Sequence, residues 1–169
     1  MIGTFNSILK ISALEADADI GAFESCNMHA LIEELIEFYE PLASVKEITL
    51  QNLLPETLTL HGEKNLLTQA CANLIENAIK YSNAGGKVTI SGEQSDTQTT
   101  LVVADHGVGI PEAYREKVLE KFYRMEAARS SEGKGLGLSL VAAIARIHGA
   151  TLTLEDNDPG LRVVMVFKM

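Results

Sequence analysis

Asn73, Glu76, Asn77 and Lys80, in the run "NLIENAIKY", stand at positions i, i+3, i+4 and i+7. On an α-helix that spacing gathers them into one stripe about 10 Å long. Leu74, Ile75, Ala78 and Ile79 fall on the opposite side, which must then meet a core. Such a stripe is ordinarily a solvated face, built from Glu, Lys, Arg and Gln. Asn costs a helix roughly 0.5 kcal/mol against Ala, so two on one stripe suggest a use for their amide groups. An amide oxygen suits a hard cation such as Mg2+, which takes few protein ligands and completes its shell with water and phosphate oxygens. Lys80, one turn on, is placed to neutralise a phosphate.

Three further stretches carry chemistry. "LVVADHGVGIP" runs a strand into Asp105, with Gly107 and Gly109 behind it. It reads either as a plain turn or as a carboxylate that accepts from an exocyclic amine, with glycines that let backbone approach a flat ring. "SSEGKGLGLSLVAAIARIHG" sets Gly133, Gly135 and Gly137 directly before a helix, whose free N–H groups and dipole suit a phosphate. The spacing is neither a Walker A loop nor a dinucleotide fingerprint, and a flexible glycine hinge is compatible with the same residues. Between the two, "EKFYRMEAARSSEG" offers Phe122 and Tyr123 as anchors of a mobile loop and Arg124 as a group able to reach a terminal phosphate.

The positioning elements follow from periodicity. A helix is expected from about Glu63 to Tyr81, stopped by "SNAGG". Before it come the end of a helix at about 4–17, a tether around "ADADIGA", a short strand "FESC", and a helix "MHALIEELIEFYEPLASVK" capped by Asn27 or Ser25. Leu31, Leu35, Ile36, Tyr39 and Leu42 share a face of that helix. "EITLQNL" and "TLTLH" alternate as strands. "KVTISGEQ" and "TTLVVAD" make a pair turned by "SDTQ". "EAYREKVLEKF" reads as a short helical piece, and the final hairpin "ATLTLED"/"LRVVMVFKM" turns at "NDPG". These elements predict an α/β two-layer sandwich with a mixed, mostly antiparallel sheet.

The chain has 169 residues, 46% hydrophobic, enough for a self-sufficient core. Its net charge of −9 argues against a nucleic-acid partner but not against a small anion held by local charges and helix ends. Cys26 and Cys71 have no metal or disulfide spacing and read as small core residues in a reducing, cytoplasmic setting. No run has the roughly 20 apolar residues of a membrane span. A parent polypeptide anchored in the cytoplasmic membrane is compatible with this.

Taken in order, "NLIENAIKY", "DHGVGIP", "EKFYR" and "GKGLGL" resemble the N, G1, F and G2 boxes of sensor histidine kinases of two-component systems. These are members of the GHKL ATPases, with gyrase-type, mismatch-repair and heat-shock relatives. The resemblance spans roughly residues 45 to 169 and implies the Bergerat α/β sandwich, with ATP and Mg2+ bound under a lid at 125–134. It further implies that Asn73 and Lys80 face the phosphates, Asn77 ligates Mg2+ and Tyr81 lies beside the nucleotide. Asp105 would read the adenine amine, in a pocket shaped by Gly107, Gly109 and Ile110. Arg124, following Phe122, would approach the γ-phosphate. Gly133, Lys134, Gly135, Leu136, Gly137 and Leu138 would close over the phosphates. Gyrase-type relatives carry a water-activating glutamate where this chain resembles them at Asn73, which implies phosphoryl transfer to a protein instead of hydrolysis.

None of the four histidines fits the family's acceptor motif: His29 is followed by "ALIEEL", His61 ends a strand, His106 lies in the G1-like loop and His148 closes a helix. "HGA", where relatives often have two glycines, is a minor departure. The expectation is a piece of a longer kinase: residues 1–20 the end of the dimerisation domain's second helix plus linker, residues 21–169 the catalytic ATP-binding domain. The implied partners are the dimerisation/phosphoacceptor domain of a homodimeric parent and a response regulator, with this piece monomeric by itself. An anti-sigma-factor-type serine kinase and a non-catalytic docking module are the alternatives of the same fold.

Overall fold

The computed structural model describes residues 2–16, 20–125 and 136–169, with side chains from residue 9 onward. Helix α1 (Ile2–Glu15) is followed by β1 (Glu24–Asn27), α2 (Met28–Val45), β2 (Thr49–Asn52) and β3 (Thr59–Gly62). Then come α3 (Lys64–Tyr81), β4 (Lys87–Gln94) and β5 (Gln98–Asp105). Two 3-10 turns (Glu112–Tyr114 and Lys117–Leu119) precede α4 (Gly137–Ile147) and the hairpin of β6 (Ala150–Asp156) and β7 (Leu161–Lys168).

The main sheet has the order β2-β4-β5-β7-β6, with β2 parallel to β4 and every other pair antiparallel; β1 and β3 form a separate antiparallel ribbon. This is the mixed, mostly antiparallel sandwich that the alternating patterns predict. Period-2 alternation buries one face: Val88 and Ile90 on β4, Leu101 and Val103 on β5, Val163, Met165 and Phe167 on β7. Against that face lie α3, through Leu67, Leu74, Ile75 and Ile79, and α4, through Leu140, Val141 and Ile144. Both cysteines sit in this core; burial pushes the Cys71 thiol up to about 12, so it is an inert apolar filler. α1 lies against α4 and contributes Ile11 and Leu14 to the same core.

Local signals set the helix ends. Asn27 caps α2, its Oδ1 accepting from the Ala30 amide at 2.9 Å. Glu63 caps α3, its Oε2 accepting from the Leu66 amide at 2.6 Å. Gly85, at φ +75°, takes the chain out of the "SNAGG" stop in a conformation that side chains resist.

Two expectations are corrected. "EAYREKVLEKF" is helical only as two separate 3-10 turns and not as one continuous piece, because just Val118 and Leu119 of the second turn reach the core and no longer packed face sustains α-helix. Leu42 shares no buried face with Leu31 and Leu35. It is 48% exposed, with Phe38 and Val45 on the same side, while Ala43 in the same turn is fully buried and marks the side on which the end of α2 packs.

Candidate functional site

Helix α3 positions the stripe as its periodicity requires: Leu74, Ile75, Ala78 and Ile79 are buried, while Asn73, Asn77 and Lys80 are half-exposed on the other side. The stripe divides by partner. Glu76 turns to α2, where its carboxylate lies beside Tyr39; burial first, then this charge, raise the pKa of the Tyr39 hydroxyl. The two asparagines face the start of α4. A Cβ built on Gly137 would stand 3.2 Å from Asn77 Nδ2 and 3.8 Å from Asn73 Oδ1, so only glycine leaves that gap open. The cap residue of α4, Leu136, makes no side-chain cap bond, so among the described residues the positive end of the helix is turned towards the amide pair without a competing side-chain acceptor. Lys80 Nζ lies 5.3 Å from the centre of the Tyr81 ring, a cation–π contact at the far end of the stripe.

Asp105 arrives at this end by strand alternation. Thr99, Leu101, Val103 and Asp105 all lie on the core face of β5, and Asp105 is only 6% exposed. Its Oδ1 accepts from the amides of Gly107 (2.8 Å) and Leu161 (3.2 Å). Burial raises the pKa of the carboxyl, and those two amides, with nearby His106, partly offset it. Gly107 forms a bridge with Ser82, and a Cβ there would collide with the Tyr81 carbonyl while standing 3.0 Å from Asp105 Oδ1. Glycine at 107 therefore lets the carboxylate dock against the C-terminal end of α3. Gly109, at φ +67°, faces Gly160 of the β6–β7 turn, and Ile110 packs on the core.

The remaining predicted residues divide. Leu136 is buried and Leu138 packs on the core. Phe122 is 55% exposed and is not part of the core, whereas Tyr123 packs on it; Arg124 is half-buried. Gly133, Lys134, Gly135 and nearly all of the 125–134 lid lie outside the described residues.

Sequence reasoning missed the groups that hold these elements. Lys46 Nζ donates to the carbonyls of Ile79 (2.8 Å), Lys80 (2.9 Å) and Ser82 (2.6 Å), capping the negative end of α3 from another helix. Its only signal is a cation closing α2. At the other end of α3, His148 Nε2 accepts from the Glu63 amide (3.1 Å), while Nδ1 lies 2.7 Å from the Ile144 carbonyl. A carbonyl only accepts, so the ring is neutral and protonated on Nδ1. Burial, foremost, lowers its pKa. In the "NDPG" turn, Asn157 Nδ2 donates to the Asp105 carbonyl at 2.7 Å, so a turn signal also carried a site support.

Amide pair and α4 start thus meet beside α3, and the buried carboxylate lies by its C-terminal end. The profile of the histidine kinase-, DNA gyrase B- and HSP90-like ATPase family matches residues 62–169, which include all of them. The chain belongs to this family. Within it, similarity runs to sensor histidine kinases. The histidine-protein kinase/phosphatase MprB of Mycobacterium sp. (strain KMS) is 45% identical over 102 residues, 60% of this chain and 20% of the relative. The heme sensor protein HssS of Staphylococcus saprophyticus is 29% identical over 163 residues, 96% of this chain and 35% of the relative. The chain thus spans about a fifth to a third of the length of these curated relatives. Among solved structures, the nucleotide-free catalytic domain of the histidine kinase ThkA superposes with a TM-score of 0.79 at 26% identity, covering 88% of this chain and 98% of that one. The histidine kinase-like ATPase fold is therefore present over nearly its full extent. No helix among the described residues is long and apolar enough to cross a membrane.

Proposed function

We propose that this domain binds Mg-ATP along the exposed side of α3 and passes the γ-phosphoryl group to a histidine on a dimerisation domain. The observation that carries the reading is the meeting of Asn73, Asn77 and the α4 start at Gly137. An amide oxygen opposite a helix N-terminus with no side-chain cap is a donor set suited to Mg2+ and phosphate together, and Mg2+ takes few protein ligands. Bound there, Mg2+ would neutralise charge on the phosphate oxygens. Asn77 Oδ1 is the ligand available to it, Asn73 and Lys80 face the phosphates, and Arg124 with the 133–138 segment completes their surroundings. Asp105 accepts from the adenine amine, in a pocket bounded by Gly107, Gly109, Ile110 and Tyr81.

Asn73 cannot act as a base, so no side chain at that position activates water, and catalysis reduces to positioning and charge neutralisation. That favours a protein acceptor over hydrolysis. The histidine kinases among the relatives favour a histidine acceptor over the serine of anti-sigma-factor-type kinases. Residues 1–20 are read as the end of the dimerisation helix and its linker, 21–169 as the catalytic domain. The parent is a homodimer acting in the cytoplasm on a response regulator.

Mixing this chain, γ-labelled ATP, Mg2+ and a dimerisation domain in trans tests the reading. Acid-labile, base-stable label on the acceptor histidine supports it; label on serine, or release of phosphate alone, contradicts it.

A further inference from the structure

Helix α2 has two apolar sides. Met28, Ile32, Leu35 and Ala43 are buried, and Tyr39 packs on the same core. Phe38, Leu42 and Val45, at i, i+4 and i+7, make a second row on the outside, with Phe38 74% and Val45 82% exposed. The outer side of a surface helix is ordinarily polar, and three large apolar side chains in one row there mark a contact surface. Phe38 is already oriented. Its ring stands edge-on to that of Tyr39, 5.1 Å between centres and 86° between planes, and Tyr39 is held by the core. An aromatic side chain fixed before binding loses little freedom on binding, which suits it as an anchor.

The charges around the row decide what seats on it. α2 carries four glutamates, Glu33, Glu34, Glu37 and Glu40, all exposed, and no lysine or arginine. Glu34 lies one turn before Phe38 in the same row, and Glu37 lies on its flank. Asn52 Nδ2 donates to Glu33 at 2.7 Å, whereas Glu34 and Glu37 have no side-chain partner among the described residues. Pro41 has no N–H, so the Glu37 carbonyl lacks its helical donor and adds another acceptor. The next cation along the chain, Lys46, is spent on three carbonyls at the end of α3. From Glu34 to Val45 the row is about 16 Å long, the reach of three helical turns. A second copy of so acidic a surface repels it, and so does an anionic lipid surface.

We propose that this row docks a basic amphipathic helix of a protein partner. Phe38 and Leu42 enter the apolar stripe of that helix, ridge into groove, while Glu34 and Glu37 pair with the lysines or arginines beside it. The proposal is independent of the nucleotide reading.

Two synthetic helices of about 18 residues serve as probes, long enough to be helical. One repeats leucine at i, i+4 and i+7 on a lysine background; the other has glutamate for every lysine. Fluorescence anisotropy of the labelled peptides, at low and high salt, reads binding to wild type, Phe38→Ser/Leu42→Ser, Val45→Lys and Glu34→Gln/Glu37→Gln. The lysine helix is expected to bind wild type and the glutamate helix is not. F38S/L42S and V45K weaken binding at least about tenfold, and E34Q/E37Q weakens it severalfold with a flatter salt dependence. All the replaced side chains are exposed, so melting temperatures hold. The proposal is overturned if the lysine helix does not bind wild type, or if the glutamate helix binds equally well. It is overturned too if F38S/L42S and V45K bind like wild type, since the net charge of −9 alone then holds the peptide. Sedimentation of wild type as a dimer that F38S/L42S abolishes would assign the row to a second copy. Binding to phosphatidylcholine–phosphatidylglycerol vesicles, lost in the same variant, would assign it to a membrane. Either result contradicts the proposal.

Discussion

Lys46 and Ser82, 36 residues apart in sequence, meet through a 2.6 Å hydrogen bond that ties the end of α2 to the end of α3. The same ammonium group also holds the carbonyls of Ile79 and Lys80. Lys46 thus fixes the part of the backbone from which Lys80, Tyr81 and Ser82 project. Replacing it with methionine keeps the apolar stem and removes three charge-assisted bonds. Lys46→Met is expected to lower stability by about 2 kcal/mol in urea denaturation and to weaken nucleotide binding at a temperature where the variant is still folded. Unchanged affinity in a folded K46M would confine Lys46 to a stabilising role.

Gly137→Ala separates helix stability from the site. Alanine is the better helix former by up to about 1 kcal/mol, so the melting temperature of the nucleotide-free protein should hold or rise. Its Cβ, 3.2 Å from Asn77 Nδ2, crowds the gap between the amide pair and the α4 start. Titration should show ATP binding at least about tenfold weaker, a loss of some 1.4 kcal/mol. Full affinity in G137A would mean that the gap is not where phosphate lies.

Asp105 gives a signed prediction. Burial raises its pKa, so its charged form is disfavoured by folding and its contribution to stability is lost as pH rises through the folded value. Asp105→Asn should therefore leave the nucleotide-free protein as stable as wild type at pH 7, or more so, while adenine-nucleotide affinity collapses. Denaturation and titration on one preparation check both halves.

His148 behaves with the opposite sign. Its pKa is lowered by burial, and protonation of Nε2 removes the acceptor of the Glu63 amide. The neutral ring's contribution is fully present above about pH 6.5, the unfolded value, and is lost as pH falls towards the lower folded one. Melting temperature should drop more steeply below pH 6.5 in wild type than in His148→Gln. Parallel pH profiles would show that His148 is not the group responsible.

What was legible in the sequence had a local cause. The α3 stripe and its buried opposite face follow from 3.6-residue spacing, and Asn27 and the "SNAGG" stop from capping chemistry. Asp105 at a strand end follows from the pattern of two. Misreadings came where local pattern and tertiary cover disagree. "EAYREKVLEKF" has apolar residues near helical spacing, but only the adjacent pair Val118 and Leu119 finds a core. Leu42 continues the face of Leu35 on paper, but it lies on the exposed side of α2 with Phe38 and Val45. The supports of the site were illegible for another reason. Lys46 with Ser82 and Glu63 with His148 are pairs 36 and 85 residues apart, and nothing in either stretch alone shows that the fold will join them.

Titration of ATP with and without Mg2+, into wild type and Asn77→Ala, tests the central claim most directly. The account predicts tighter binding with Mg2+ in wild type, and loss of that increment in N77A at an unchanged melting temperature. An equal Mg2+ increment in both proteins, or no binding by wild type up to millimolar ATP, would contradict it.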